Sequence, residues 1–328
     1  MTDIRRVVQT TGGSSYAITL PKAWVSSRRI GRGTVLRMKI TDDGGLLIFP
    51  EESTSRTPTS IDIVAGPDVG RDIVGAYLYG YDVIRVLAPD RFRESEVLEV
   101  KRWARTLAGA EIIDETPRKI EVQVMLDAEA VAPEKVVRRQ SVLVMGMVED
   151  AVKALIEGDA ALGRSVNQRD EEVDRHYFTL VRVLRTAAHD YELARRLNIS
   201  PLLLMDLRVA AKFIEDAGDN AASIGRDASR ASREMLSNEI RTDFTELVSI
   251  ILDMGLTPID SLLLRRRELV YKSLEAREKF LKYGEGVARK LAGHSYNLFK
   301  AYYALDRICE DFSDIAELAL PFDAKPLK

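Results

Sequence analysis

The sequence contains a single cysteine, Cys309, and only three histidines. One thiol cannot form an internal disulfide or a metal site of several thiolates, so a reducing cytoplasm is the simplest setting. Because His176, His189 and His294 lie far apart in the sequence, the pattern does not favour a zinc hydrolase or a histidine-activated nucleophile. We therefore expect a cytoplasmic protein in which Cys309 is a small buried apolar residue.

Motifs of common catalytic and membrane proteins are also missing. The sequence has no glycine-rich dinucleotide-binding turn, no Walker-type phosphate loop and no Gly-x-Ser-x-Gly elbow, so a conventional catalytic centre is not expected. Apolar runs such as 247–252 end at charged residues well before the ~20 residues that a membrane span needs. The first six residues, Met-Thr-Asp-Ile-Arg-Arg, are not followed by the apolar stretch of a secretory signal. We expect neither an enzyme nor membrane insertion.

The net charge of -3 conceals an uneven distribution along the 328 residues. Residues 1–40 contain eight basic side chains and one acidic side chain, so they carry +7 and leave -10 for the remainder. A basic N-terminal segment on an acidic protein indicates that this segment faces a polyanion. The length itself predicts two or three domains.

The pattern of the chain predicts a multidomain protein with three successive parts. Residues 1–50, here called the head, read as short strands around a helix at Lys22–Arg28, with a hairpin turn at Asp43–Gly44. A polar linker at 51–58 leads to a small α/β domain over 59–130, which has alternating strand and helix patterns. Its role as spacer, dimerisation surface or small-ligand module remains open. Residues 135–320 are here called the body. Their apolar residues recur at three- and four-residue spacing, which predicts a bundle of long antiparallel helices with breaks near 198–201, 223–237 and 255–258.

Acidic residues recur within the body at helical spacing. The string Ile214-Glu-Asp-Ala-Gly-Asp-Asn220 is echoed 95 residues later by Cys309-Glu-Asp-Phe-Ser-Asp-Ile315, so Glu215/Asp219 correspond to Glu310/Asp314. Asp170 and Asp174 form a third pair with the same spacing. Each pair places two carboxylates on one helix face, where their repulsion costs a few tenths of a kcal/mol unless a cation lies over them. Solvated helix faces are the simpler interpretation; a site for a hard cation is the alternative.

The body resembles the PhoU family of phosphate-uptake regulators, of the archaeal type given the fused head. That family consists of tandem three-helix bundles whose helices carry Glu/Asp-x-x-x-Asp metal motifs. The resemblance implies iron, manganese, magnesium or zinc as the metal, held by Asp170, Asp174, Glu215, Asp219, Glu310 and Asp314. One stretch departs from the pattern, because Leu264–Lys272 is basic where the first repeat is acidic. The second site is therefore lost or completed by another chain.

The head resembles the AbrB/MazE/SpoVT swapped-hairpin DNA-binding domain. The stretch Gly13–Val25 contains the Leu-Pro-Lys element, and Ile30–Val35 and 43–48 follow in the family's order. The resemblance implies an intertwined homodimer that binds DNA. The contacts that we expect with phosphates are Arg5, Arg6, Lys22, Arg28 and Arg29.

These observations favour a DNA-binding transcriptional regulator of phosphate transport and homeostasis with a metal-binding helical sensor body. The alternative is a protein-interaction adapter, which docks on a phosphate ABC-transporter ATPase or a sensor kinase and uses the head to dimerise. A carboxylate-bridged metal hydrolase or oxidase is a third class. It is disfavoured because two of the three acidic pairs have no histidine nearby.

Overall fold

The structure is a computed structural model, which describes residues 6, 8–10, 13, 16–40, 44–50, 58–230, 236–292 and 296–320. The chain divides into two compact units, one through Pro58 and one from Thr59 onward. The predicted succession of a strand-rich head, a small mixed sheet and a helical body is confirmed. Arg5 and Asp43, which belong to the sequence predictions for the head, lie outside the described residues.

The head consists of two short antiparallel pairs of strands and one helix. Strand β1 pairs with β2 and β3 pairs with β4, the latter in a register that places Ile40 opposite Leu46. Gly44 has a φ of 83° between β3 and β4, a conformation that glycine adopts without strain. The bounds are β1 Gln9–Thr10, β2 Tyr16–Ala17, α1 Lys22–Ser27, β3 Leu36–Ile40 and β4 Leu46–Pro50.

The head has no buried residue in the part that the structure describes. Its apolar strand residues are largely open to solvent, with Met38 67% and Ile40 75% exposed, and α1 buries no side chain. Two-stranded pairs of this size are marginal in water without a third layer to cover them. The described residues of one head therefore form no hydrophobic core by themselves.

The second unit begins with a four-stranded sheet in the order β5-β6-β8-β7. Strands β5 and β6 run parallel, whereas β8 is antiparallel to both of its neighbours. Alternating apolar residues such as Ile84 and Val86 on β6 are fully buried under the two helices. The bounds are β5 Ser60–Val64, α2 Val69–Tyr79, β6 Val83–Leu87, α3 Glu94–Thr106, β7 Ala110–Glu115 and β8 Lys119–Val124.

The body contains two groups of long helices with one shared hydrophobic core. Helices α4, α5 and α7 pack together, as do α8, α9, α10 and α11, and α7 also packs along α11. The carboxylate of Asp159 accepts hydrogen bonds from two backbone N–H groups and so fixes the start of α5. The bounds are α4 Pro133–Glu157, α5 Ala160–His189, α6 Tyr191–Arg196, α7 Pro201–Arg230, α8 Asn238–Met254, α9 Thr257–Leu264, α10 Arg267–Leu291 and α11 Tyr296–Glu317.

Two of the three predicted helix breaks agree with the structure. The chain leaves helix between α6 and α7, and again between α8 and α9, as expected near 198–201 and 255–258. The break expected from 223 was placed too early, because α7 continues to Arg230. Ser223 and Gly225 disfavour helix locally, but Ala222 and Ile224 beside them are buried against neighbouring helices. Tertiary packing stabilises the helix there beyond its local propensity.

One described stretch, Asn238–Leu264, has the length and composition of a membrane span, and half of it is buried. This stretch comprises α8 and α9. Phe244, Leu247 and Ile251 on it are fully buried in the shared core. Packing within the body accounts for its apolar composition.

Arg182 of α5 fixes the α/β part on the body. The side chain is 4% exposed, and its Nη1 donates to the carbonyl oxygens of Tyr77 and Tyr81, each at 2.8 Å. Its Nη2 donates to Oδ1 of Asp82 at 3.1 Å, which forms a largely buried ion pair. These bonds join the end of α2 to the middle of α5.

Replacing Arg182 with alanine should lower the free energy of unfolding by about 2 kcal/mol, because three acceptors lose their donor in a buried site. Urea unfolding followed by circular dichroism would measure the change. Arg185→Ala is the control, since Arg185 is exposed on the same helix one turn away. Equal unfolding midpoints for the two variants would contradict this role for Arg182.

Candidate functional site

Two helices of the body bring together the two acidic pairs of the first repeat. Asp170 and Asp174 lie on α5, and Glu215 and Asp219 lie on α7, which packs along α5. Gly218 permits this close approach: a Cβ there would lie 3.1 Å from Cγ1 of Val173 and 3.7 Å from Oδ1 of Asp170. We call Asp170, Asp174, Glu215 and Asp219 the four-carboxylate cluster.

Electrostatic repulsion within this cluster shows how closely its members lie. Burial, followed by repulsion from Asp219, raises the pKa of Asp170 to about 6, although Arg226 opposes the shift. Burial and repulsion from Asp170 raise the pKa of Asp174 to about 7, with Glu215 and Asp219 adding to the effect. The cluster therefore carries more negative charge than its own cations neutralise.

The donor set of the cluster fits a hard metal cation. Oδ1 of Asp170 is buried and has no hydrogen-bond partner, so it is a free acceptor. On α7, Glu215, Asp216 and Asp219 each offer an oxygen within 4.8 Å of the others. Carboxylate oxygens from facing helices of a bundle suit iron, manganese or magnesium. Asp170 and Asp174 of α5 are not part of this closely spaced group, although they repel Glu215 and Asp219 across the helix pair. An ion held by Glu215, Asp216 and Asp219 would thus have Asp170 and Asp174 as further candidate ligands.

Asp216 was not among the predicted ligands, because only carboxylates spaced four residues apart were selected. It lies three residues before Asp219, and this spacing also places two residues on one helix face. Lys212 contacts Glu215 and lies 2.7 Å from Oδ1 of Asp216. An ion at the cluster would compete with Lys212 for both carboxylates.

Cations face the acidic pair of the second repeat. Oε2 of Glu310 accepts a hydrogen bond from Arg307 at 2.7 Å and lies 3.9 Å from Nη2 of Arg277. Arg277 also pairs with Asp306 at 2.6 Å. Burial and repulsion from Glu310 raise the pKa of Asp314. The acidic pair on α7 thus faces carboxylates on α5, whereas the acidic pair on α11 faces the guanidinium of Arg277 on α10.

The sequence placed the basic departure at Leu264–Lys272, and the structure moves it along the chain. Leu264 ends α9, and α10 begins at Arg267. The cation that faces α11 is Arg277, five residues beyond the stretch that was singled out. The antiparallel register of α10 and α11 selects this residue, and sequence spacing does not reveal that register.

Asp311 is a further acidic residue that sequence reasoning missed. It is 1% exposed, and among the described residues neither of its carboxylate oxygens accepts a hydrogen bond, although Nη2 of Arg307 lies 3.5 Å from Oδ1. Burial raises its pKa to about 7, with Arg307 opposing the shift and Asp216 of α7 adding to it. Its neighbours Glu310 and Asp314 attracted the prediction because they repeat the 215/219 spacing.

His176 and Cys309 stand apart from the cluster. Nε2 of His176 lies 3.6 Å from Glu172, on the same helix, and burial lowers the pKa of this histidine. Cys309 is fully buried, so the sequence prediction for it is confirmed.

Four of the five predicted DNA contacts lie among the described residues of the head. Arg6, Lys22, Arg28 and Arg29 are all exposed. Helix α1 has no acidic residue in its first turn, and Arg29 follows its end with a left-handed φ of 52°. Lys22 thus begins a short helix without acidic residues, and Arg28 and Arg29 follow its end.

Comparisons with known proteins agree with the two parts of this arrangement. Residues 137–228 match the family model described as PhoU domain, and residues 9–56 match that of MazE, bacterial antitoxin, described as antidote-toxin recognition. No curated protein matches the sequence significantly. PhoU from Pseudomonas aeruginosa has a similar fold, with 20% identity, a TM-score of 0.51, and coverage of 59% of this chain and 96% of that chain. The phosphate transport system regulatory protein PhoU from Streptococcus pneumoniae gives 14% identity, a TM-score of 0.51, and coverage of 60% and 96%.

The pKa values of Asp170 and Asp174 predict a stability that falls as pH rises. Both values lie above those of an unfolded chain, so the folded protein binds more protons between pH 4 and pH 7 and loses stability as the pH rises through that window. We expect the metal-free wild type to lose more stability between pH 5 and pH 8 than Asp174→Asn does. Thermal unfolding at the two pH values would measure this. The same pH dependence in both proteins would contradict it.

The cluster should also govern the metal content. Replacing both Glu215 and Asp219 with alanine should remove most of the bound metal, because half of the ligand set is lost. Elemental analysis of dialysed protein would measure the content. The matched control is Glu310→Ala with Asp314→Ala, which alters the pair that Arg277 and Arg307 face. Unchanged content in the Glu215/Asp219 variant would refute the cluster as the metal centre.

Proposed function

We propose that this chain, which joins a PhoU domain to a MazE-type segment, is a DNA-binding transcriptional regulator of phosphate transport and homeostasis. The single observation that carries the proposal is the pairing of an exposed basic head with a body of PhoU fold in one polypeptide. The head binds operator DNA, and the body senses phosphate status through a metal ion at the four-carboxylate cluster.

The head acts as part of a homodimer in this proposal. Its described residues include no buried side chain, and Met38 and Ile40 are more than half exposed. A second copy of the same strands would cover these residues and form the core that one head lacks. Dimerisation would also place two sets of basic side chains along one DNA duplex.

The regulatory character of the solved relatives supports a regulator and not an enzyme. One of them is described as a phosphate transport system regulatory protein. A cytoplasmic location follows from a role in binding DNA. A bound ion would reduce the repulsion between α5 and α7. The resulting change in helix packing would transmit the metal-bound state of the body to the head. Such coupling requires that the ion bind the DNA-bound and free forms with different affinity.

The alternative is an adapter whose body docks on a phosphate ABC-transporter ATPase or a sensor kinase. The observation that favours it is the extent of the fold match, which covers the body and nearly all of each PhoU structure. In this case the head would serve only to dimerise. Neutralising the basic residues of the head would then leave phosphate regulation in cells unchanged.

The DNA-binding role predicts a steep dependence on salt. Replacing Lys22, Arg28 and Arg29 with glutamine should weaken binding to the protein's own promoter region or to phosphate-transport promoters. If all three contact phosphates in both protomers, the slope of log K against log salt becomes less steep by about 5. Fluorescence anisotropy at several salt concentrations would measure it.

The matched control neutralises Lys272, Lys279 and Lys282, three exposed lysines of α10. The same loss of affinity in both variants would show that general charge, and not the head, governs binding. A wild-type protein without salt-sensitive affinity for these promoters would rule out the DNA-binding role.

A further inference from the structure

A cleft of about 580 Å³ lies between α3 of the α/β part and α5 of the body. Its α3 wall includes the basic side chains of Lys101, Arg102 and Arg105, and its α5 wall includes Glu171 and Asp174. Asp174 is also a member of the four-carboxylate cluster. Asp174 is therefore the one member of the cluster that lines the cleft.

The charged residues of the α3 wall differ in how far they are already paired. Glu99 accepts hydrogen bonds from Arg102 and from Nε1 of Trp103, each at 3.2 Å. Lys101 pairs with Glu115 at 3.0 Å. Arg105 is exposed, and in the described part of the chain it forms no ion pair and no hydrogen bond through its side chain. Its guanidinium is thus available to an anion in the cleft.

Contacts with α5 hold α3 in place beside the cluster. Nε of Arg175 donates to the carbonyl oxygen of Thr106 at 3.2 Å, next in sequence to Arg105. The ring of Trp103 meets that of Phe178 edge-on, with centroids 6.0 Å apart. Since Arg175 directly follows Asp174 on α5, the base of Arg105 is fixed relative to the metal ligands.

We propose that this cleft binds a phosphate group, from inorganic phosphate or a phosphorylated small molecule, between a metal at the four-carboxylate cluster and the guanidinium of Arg105. The proposal rests on the metal centre proposed above. Without the metal, the carboxylates of Asp174 and Glu171 repel an anion. With it, phosphate oxygens complete the coordination of a hard cation, and a guanidinium binds other oxygens of the same group by charge-assisted hydrogen bonds.

Equilibrium dialysis of the full-length protein, with and without bound Mn²⁺, tests this assignment. The two probes are inorganic phosphate and AMP, and binding of one alone identifies the source of the phosphate group. We expect binding to the Mn²⁺-loaded protein, and none at the same concentrations to the metal-free protein. Arg105→Gln should weaken binding roughly tenfold or more, since it removes a charge-assisted hydrogen bond.

The matched control is Arg71→Gln, which removes an exposed arginine of α2 that pairs with Asp68 outside the cleft. Metal content is measured in all three proteins and should be equal. A wild type that holds metal but binds neither probe overturns the phosphate site and leaves the metal centre intact. Undiminished binding in Arg105→Gln, equal weakening in both variants, or equal binding without metal also overturns it. A wild type that takes up no metal overturns both proposals.

Discussion

The close antiparallel approach of α5 and α7 is the constraint on which the candidate site depends. Two glycines of α7 make it possible: a Cβ at Gly225 would lie 2.9 Å from the carbonyl oxygen of Gly163, and one at Gly218 would meet Val173. A side chain at either position would push the helices apart, because interiors are close-packed. The carboxylates of Asp170 and Asp219 repel each other, and core packing that does not depend on them keeps them close together. The fold supplies the energy that keeps a cation-binding arrangement assembled before any cation arrives.

Helix α5 carries both half of the four-carboxylate cluster and the contacts with the α/β part. Within four turns it carries Asp170 and Asp174, then Arg175 and Phe178 against α3, and then Arg182 against the end of α2. A shift of α5 along α7 therefore moves the contacts of the α/β part as well. These contacts fix the position of the α/β part on the body. Large side chains of α3, among them Trp103 and Arg105, line a cleft together with Glu171 and Asp174 of α5.

The sequence predicted the constituents of the site better than their arrangement. Spacing of four residues selected Glu215 and Asp219 but not Asp216, although the three offer oxygens within 4.8 Å of one another, because a spacing of three also places residues on one helix face. Which helices face each other depends on packing that no local pattern encodes. For that reason Asp311, buried near Asp216 of α7, was overlooked in favour of its neighbours. Arg277 escaped notice for the same reason, since its position opposite Glu310 follows from the register of α10 and α11. The early break assigned within α7 shows local propensity overridden by burial.

The two acidic motifs of the body lie in opposite electrostatic settings. In the first, carboxylates face carboxylates, and Asp170 and Asp174 hold protons at pH values where ordinary aspartates do not. In the second, the guanidiniums of Arg277 and Arg307 neutralise Glu310 from within the chain. An internal cation gives a permanent ion pair, whereas an external one gives a site whose charge depends on its occupant. The charge of the second acidic pair is therefore set by arginines of the chain itself, whereas that of the first depends on protons or on a cation from outside.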